Sequence, residues 1–235
     1  MNILAIGCHP DDLEIGCGGT LALYVRNGHN VYMCHVANGD KGHAVIMPDE
    51  LGILRTAEAE ASGAALGAIK VFNLNVPDLM VDSHNEKQVN DVVEVIRAVK
   101  ADVIITHSPD DYMRDHVETS LLVFNASFSA SIPHYDTISK PHPKIAPLYY
   151  MDTLAGVGFL PEEYTDITDT IEIKLDALEK HETQMKWMRV HDGIDFSDFV
   201  RTVSKFRGLQ SGVKYAEGFR LCKGWPRLVT KRLLP

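Results

Sequence analysis

The chain has 235 residues, enough for one large domain with a sizeable core, and a formal net charge of −9 with no Lys/Arg-rich run, which argues against nucleic acid or an anionic membrane surface as its main partner. No apolar stretch approaches the ~20 residues of a membrane span, and the opening MNILAIG lacks the basic flank of a signal peptide. Cys8, Cys17, Cys34 and Cys222 are scattered without a C-x-x-C pair, which excludes a structural zinc ribbon and reads as free thiols in a reducing cytoplasm.

In chain order, NILAIGC reads as a buried strand, and the helix formers from Gly18 to Arg26 predict a helix stopped at Asn27-Gly28. VYMCHVA is a second strand, and Pro48 to Leu66 a helix closed by Gly67. AIKVFNL is a third strand. Glu86 to Lys100 places apolar residues at three- and four-residue intervals, an amphipathic helix. ADVIITHS is a fourth strand, with the helix HVETSLLVFNASFSA behind it. Ile132 to Pro147 is proline-rich and reads as a loop; PLYYMDTL is a fifth strand. IEIKLDALEKHETQMKWM predicts one helix, and Phe196 to Gln210 another. The β-α alternation implies an α/β fold: a Rossmann-like, three-layer α/β/α sandwich on a mostly parallel sheet, in a single domain over 1–235.

In such sheets ligands bind beyond the carboxyl ends of the strands, where strand order reverses. With the order 3-2-1-4, the His9-Pro10-Asp11-Asp12 segment after the first strand faces the segment His107 to His116 after the fourth. Adjacent carboxylates repel and are costly to desolvate, so a bound cation is the natural reason for Asp11-Asp12. His9 and Asp12, three apart across a turn stiffened by Pro10, can converge on one ion. A histidine from the later segment completes a two-His, one-carboxylate set, which suits catalytic zinc and also iron(II). Asp11 is then left beside the ion, placed to take a proton from water that the ion acidifies.

GCHPDDLEIGCGGTLA resembles the opening motif of the LmbE-like, or PIG-L, family of metal-dependent N-deacetylases. LRTAEAEASGAALG resembles that family's Arg-bearing helix, THSPDDYMRDHVETS its second metal motif, and DALEKHETQ and YAEGF its C-terminal signatures. The resemblance implies zinc held by His9, Asp12 and His116, with Asp11 as general base. It also implies an N-acetylglucosamine-type small-molecule substrate cleaved to free amine and acetate. Arg55 would contact the substrate, and family members are often homo-oligomers. One departure stands out: Met113 occupies the position of a histidine that helps polarise the carbonyl or protonate the leaving amine. A thioether donates no proton. Asp11 itself, His107, Tyr112, His43 or a loop histidine fills that gap, or else the protein binds metal and sugar with little turnover. An iron-dependent oxygenase is a third, remoter reading.

Plainer roles compete residue by residue. Asp11-Asp12 could cap a helix. Gly16, Gly18 and Gly19 do not form G-x-G-x-x-G off the strand and read as close helix-to-sheet packing rather than a dinucleotide site. Arg55 could pair with Glu58, His107 and His181 could be buried hydrogen-bonding residues, His134 and His142 solvated loop residues, and Asp78 a turn residue.

Overall fold

The computed structural model describes residues 1–235. Seven strands form one sheet: β1 (Asn2–Gly7), β2 (Asn30–Ala37), β3 (Lys70–Val76), β4 (Val103–Thr106), β5 (Leu148–Met151), β6 (Glu163–Asp166) and β7 (Ala216–Leu221). Their order is β3-β2-β1-β4-β5-β7-β6; β1 to β5 run parallel, and β7 is antiparallel to both its neighbours. The reversal of strand order falls between β1 and β4, as the alternating pattern predicts.

The helices are α1 (Asp12–Arg26), α2 (Pro48–Leu66), α3 (Glu86–Val99), α4 (Arg114–Ser129), α5 (Ile171–Glu179), α6 (Glu182–Trp187) and α7 (Phe196–Ser211), with a π-helical turn at Met188–Asp192. The period-two alternation of β1 divides the core into two layers. Leu4 and Ile6 pack with Val92, Ile96, Leu122 and Val123 of α3 and α4. Ile3 and Ala5 pack with Leu13, Cys17 and Leu21 of α1. All four cysteines are buried and unpaired.

Three details differ from the sequence expectation. Helix α1 starts at Asp12, not Gly18, because its glycine-rich turn is held by tertiary contacts that no propensity scale contains. A Cβ on Gly16 would sit 2.5 Å from the Met151 sulfur, and one on Gly19 2.8 Å from Ile167, so the missing side chains let the helix lie close against β5 and the β6–α5 connection. The buried Lys174–Glu217 pair (2.5 Å) works on the same stretch. Lys174 Nζ donates to the Ile15 carbonyl, while the Glu217 carboxylate accepts from the Gly19 and Thr20 amides. Second, the expected helix over 171–188 breaks at Lys180-His181, where His181 turns inward to Glu14 (3.4 Å). Third, β6 and β7 are strands that no alternating pattern announces.

Candidate metal centre

The first loop is locked by its own hydrogen bonds. The His9 amide donates to Asp12 Oδ2 at 2.6 Å, and His35 Nδ1 lies 3.1 Å from the His9 carbonyl. Asp11 takes a left-handed backbone (φ 113°), a conformation that costs energy for a non-glycine residue, and its side chain makes no helix-capping hydrogen bond. A capping role therefore does not explain the two carboxylates. Asp12 opens α1 and faces the start of α4.

There, His116 Nε2 lies 3.3 Å from Asp12 Oδ1, buried and without a hydrogen-bond partner. Its other nitrogen is 3.1 Å from Asp111 Oδ2. His9 repeats the arrangement: Nδ1 is 3.4 Å from Asp12 Oδ2, and Nε2 is 3.3 Å from Asp115 Oδ2. Each imidazole thus has one nitrogen toward Asp12 and a carboxylate behind the other, the arrangement that orients metal-ligating histidines. A cation fits this donor set: it would give His116 Nε2 its missing partner. The ligand atoms mutually within 4.8 Å fall into two trios, Cys8/His9/Asp12 and Asp12/His107/His116, with Asp12 common to both. His107 is the weaker member, because its Nε2 accepts the Cys8 amide at 2.9 Å.

Electrostatics separates the groups. Burial pushes Asp11 upward and the Asp12 charge adds to it, while the Arg55 guanidinium 3.2 Å away pulls the other way; the result is about 6. Burial, with the charge on neighbouring His116, takes His107 down to about 4, so it is neutral at pH 7. Burial would lower His116 too, but Asp12 and Asp111 outweigh it and raise it to about 10, the mark of an imidazole embedded in negative charge. Beneath the site, burial would raise Glu14, yet His181, followed by His35 and the Ser62 hydroxyl, brings it down to about 2.

These groups open onto a cavity of about 310 Å³, at the small end of the ~300–1,000 Å³ usual for ligand sites. His9, Asp11, Asp12 and His116 line it, as do Arg55 and Met113. Arg55 pairs with Asp11 and donates to the Pro10 and Gly39 carbonyls; Glu58, its expected partner, instead accepts from Thr183. Tyr112 is 55 % exposed, and neither it nor His107 lines the cavity. His43 lies against Trp187 with the rings tilted at 43°, and His142 bonds to the Ala101 carbonyl. Asp78 does both jobs weighed for it: it accepts from the Gly39 and Lys41 amides and lines the cavity 3.9 Å from His9. Sequence reasoning missed Asp111 and Asp115 as the carboxylates behind the imidazoles; their closeness to His116 in D-Y-M-R-D-H was the available signal. It also missed the apolar lining from Ile15, Leu154, Met188 and Phe196.

Comparison with known proteins agrees with this geometry. The model of the family PIG-L, GlcNAc-PI de-N-acetylase, matches residues 4–127. Diacetylchitobiose deacetylase of Thermococcus kodakarensis is 28 % identical, over 94 % of this chain and 83 % of its own. The structure of N,N'-diacetylchitobiose deacetylase from Pyrococcus horikoshii superposes with a TM-score of 0.81 at 27 % identity, covering 97 % of this chain and 86 % of that one. GalB, the 4-carboxy-2-hydroxymuconate hydratase of Pseudomonas putida, reaches the same TM-score at 22 % identity over 99 % of this chain and all of its own, a likeness of fold alone. With a match over more than half its length that takes in both histidine–aspartate motifs, the chain belongs to the metal-dependent PIG-L family.

Proposed function

We propose that this chain is a zinc hydrolase that removes the N-acetyl group from an N-acetylglucosamine-type derivative, with residues 1–235 acting as one domain. The observation that carries the reading is Asp12 set between two imidazoles, each backed by its own carboxylate, with the His116 Nε2 unpartnered. The names of the deacetylase relatives support the amide and the sugar. The buried, unpaired cysteines support a reducing, cytoplasmic setting.

His9, Asp12 and His116 would hold the ion, which supplies Lewis acidity toward an amide carbonyl and toward water. The same donors also suit iron(II). Asp11 stands beside them, ionised at neutral pH yet far more basic than an ordinary aspartate. It takes the proton from the attacking water as oxygen adds to the carbonyl carbon. When the C–N bond breaks, Asp11 returns that proton to the departing nitrogen, since Met113 has none to give. Acetate and amine leave, and Asp11 is restored. Arg55 keeps Asp11 ionised and aimed.

The test combines metal analysis with release of acetate from a panel of N-acetylated amino sugars. Asp11→Asn is expected to keep its metal and lose about 10²–10⁴-fold in turnover. His116→Ala is expected to lose the metal. A metal-replete Asp11→Asn enzyme of full activity overturns the role of Asp11. Metal and sugar binding with no acetate released from any member makes the protein a binding domain instead, with Met113 as the reason.

A further inference from the structure

Leu79 sits in the left-handed backbone region (φ 67°), which a bulky side chain rarely adopts, and it is 74 % exposed while lining the cavity. Hydrogen bonds on both sides impose this. The Leu79 amide donates to Asp115 Oδ2 at 2.7 Å. Just before it, Asp78 accepts from the Gly39 and Lys41 amides, and its carbonyl accepts Lys41 Nζ. A glycine or asparagine would meet the same backbone demand with less strain. A bulky residue held strained and exposed at the rim of a cavity is the kind of outlier that clusters at ligand clamps. Met113 lines the same cavity, apolar where the family pattern has a histidine. Ile15, Leu154, Met188 and Phe196 continue the apolar lining.

Resting on the deacetylase reading above, we propose that Leu79 and Met113 form an apolar clamp that selects amino sugar substrates carrying an apolar substituent, on the aglycone or on the N-acyl group, over fully hydrophilic ones. Of the polar lining outside the cation site, Lys41 Nζ is held by Asp40 and the Asp78 carbonyl, Asp78 by the Gly39 and Lys41 amides, and Arg55 by Asp11, which leaves Gln184 beside a wall that is otherwise apolar; an apolar substituent is the chemistry that this wall can recognise. Leu79 is then a specificity-determining residue whose backbone strain is kept for the contact it makes.

The test measures binding by calorimetry to the zinc-loaded Asp11→Asn protein, which keeps the metal and leaves the probes uncleaved, with each Leu79 variant made in that background. Three probes are compared: methyl N-acetyl-β-D-glucosaminide, its phenyl glycoside, and the N-butyryl analogue of the methyl glycoside. The expected result is that the phenyl or the butyryl probe binds tenfold or more tightly than the reference, the range an apolar group gains in a fitted pocket. Whichever probe gains identifies the source of the apolar group. Leu79→Asn and Leu79→Gly should hold or raise the melting temperature while bringing the preference under threefold; Leu79→Met should retain it. A merely structural Leu79 would not separate stability from selectivity in this way. A preference below fivefold for both probes, or one that survives Leu79→Asn and Leu79→Gly, overturns the clamp. If the methyl glycoside is bound in that case, and the protein with Asp11 intact deacetylates it, the functional reading stands without it. If none of the probes binds, both fall.

Discussion

His9, Asp12 and His116 stand on segments fixed by strand order: the carboxyl ends of two adjacent interior strands, two helices that begin there, and a crevice between. Leu154 lies on the connection after β5, Met188 opens the π-helical turn and Phe196 opens α7, all in the half of the chain where strand direction reverses. The first region is buried and charged, its imidazoles and carboxylates set against one another. The second faces the cavity with apolar side chains, and its backbone is anchored from behind by Thr153 and by the buried Arg207–Asp152 pair. The contrast sets the charged donors on one side of the cavity and apolar wall residues from the later half on the other, with Leu79 and Met113 at the edge of the charged side.

Experiments can press on this contrast, the most damaging first. Lys174 belongs to the later region but grips the helix that bears Asp12, so the two regions are not independent there. Lys174→Met leaves Glu217 buried and unpaired, a loss of about 3–5 kcal/mol. Chemical denaturation should register it, and a change under 1 kcal/mol would show the pair to be dispensable. Next, Asp111→Asn should weaken metal binding by about 10–100-fold with little change in fold, measured by competition with a chelator; unaltered affinity would mean that His116 needs no orienting carboxylate. Third, Arg55→Gln removes the charge that holds the Asp11 carboxyl down. In the proposed mechanism Asp11 acts as a base only when ionised, so activity is expected to fail below its pKa. With that pKa raised, the acidic limb of the pH–rate profile should move to higher pH. A limb that stays put would detach Arg55 from the base. Smallest, Arg201→Ala breaks an exposed pair with Glu172 and should cost less than about 1 kcal/mol.

What could be read in advance follows the same division. The parallel sheet, its reversal between β1 and β4, and the meeting of two polar loops follow from alternating apolar runs and their order. Gly16, Gly18 and Gly19 read as close packing, but the helix is legible only from Gly18, because the contacts that hold the first turn and a half come from Met151, Ile167, Lys174 and Glu217 far along the chain. AEGFRL carries Glu217, Gly218 and Arg220 in six residues, so no apolar alternation marks β7. The break at His181 depends on Glu14, 167 positions earlier. A lining made by Ile15, Leu154, Met188 and Phe196 has no local period at all, since those residues meet only in the folded chain.

The hydrogen bond from the Cys8 amide to His107 has one more result. The paired registers of β1 and β4 end at Ile6 and Thr106, and beyond them an imidazole stands where the next rung of the ladder would be. The main-chain ladder between β1 and β4 therefore gives way to a side chain at this step, and the two strands part just where their polar loops begin: the floor beneath the cation site is closed by an imidazole rather than by a peptide group.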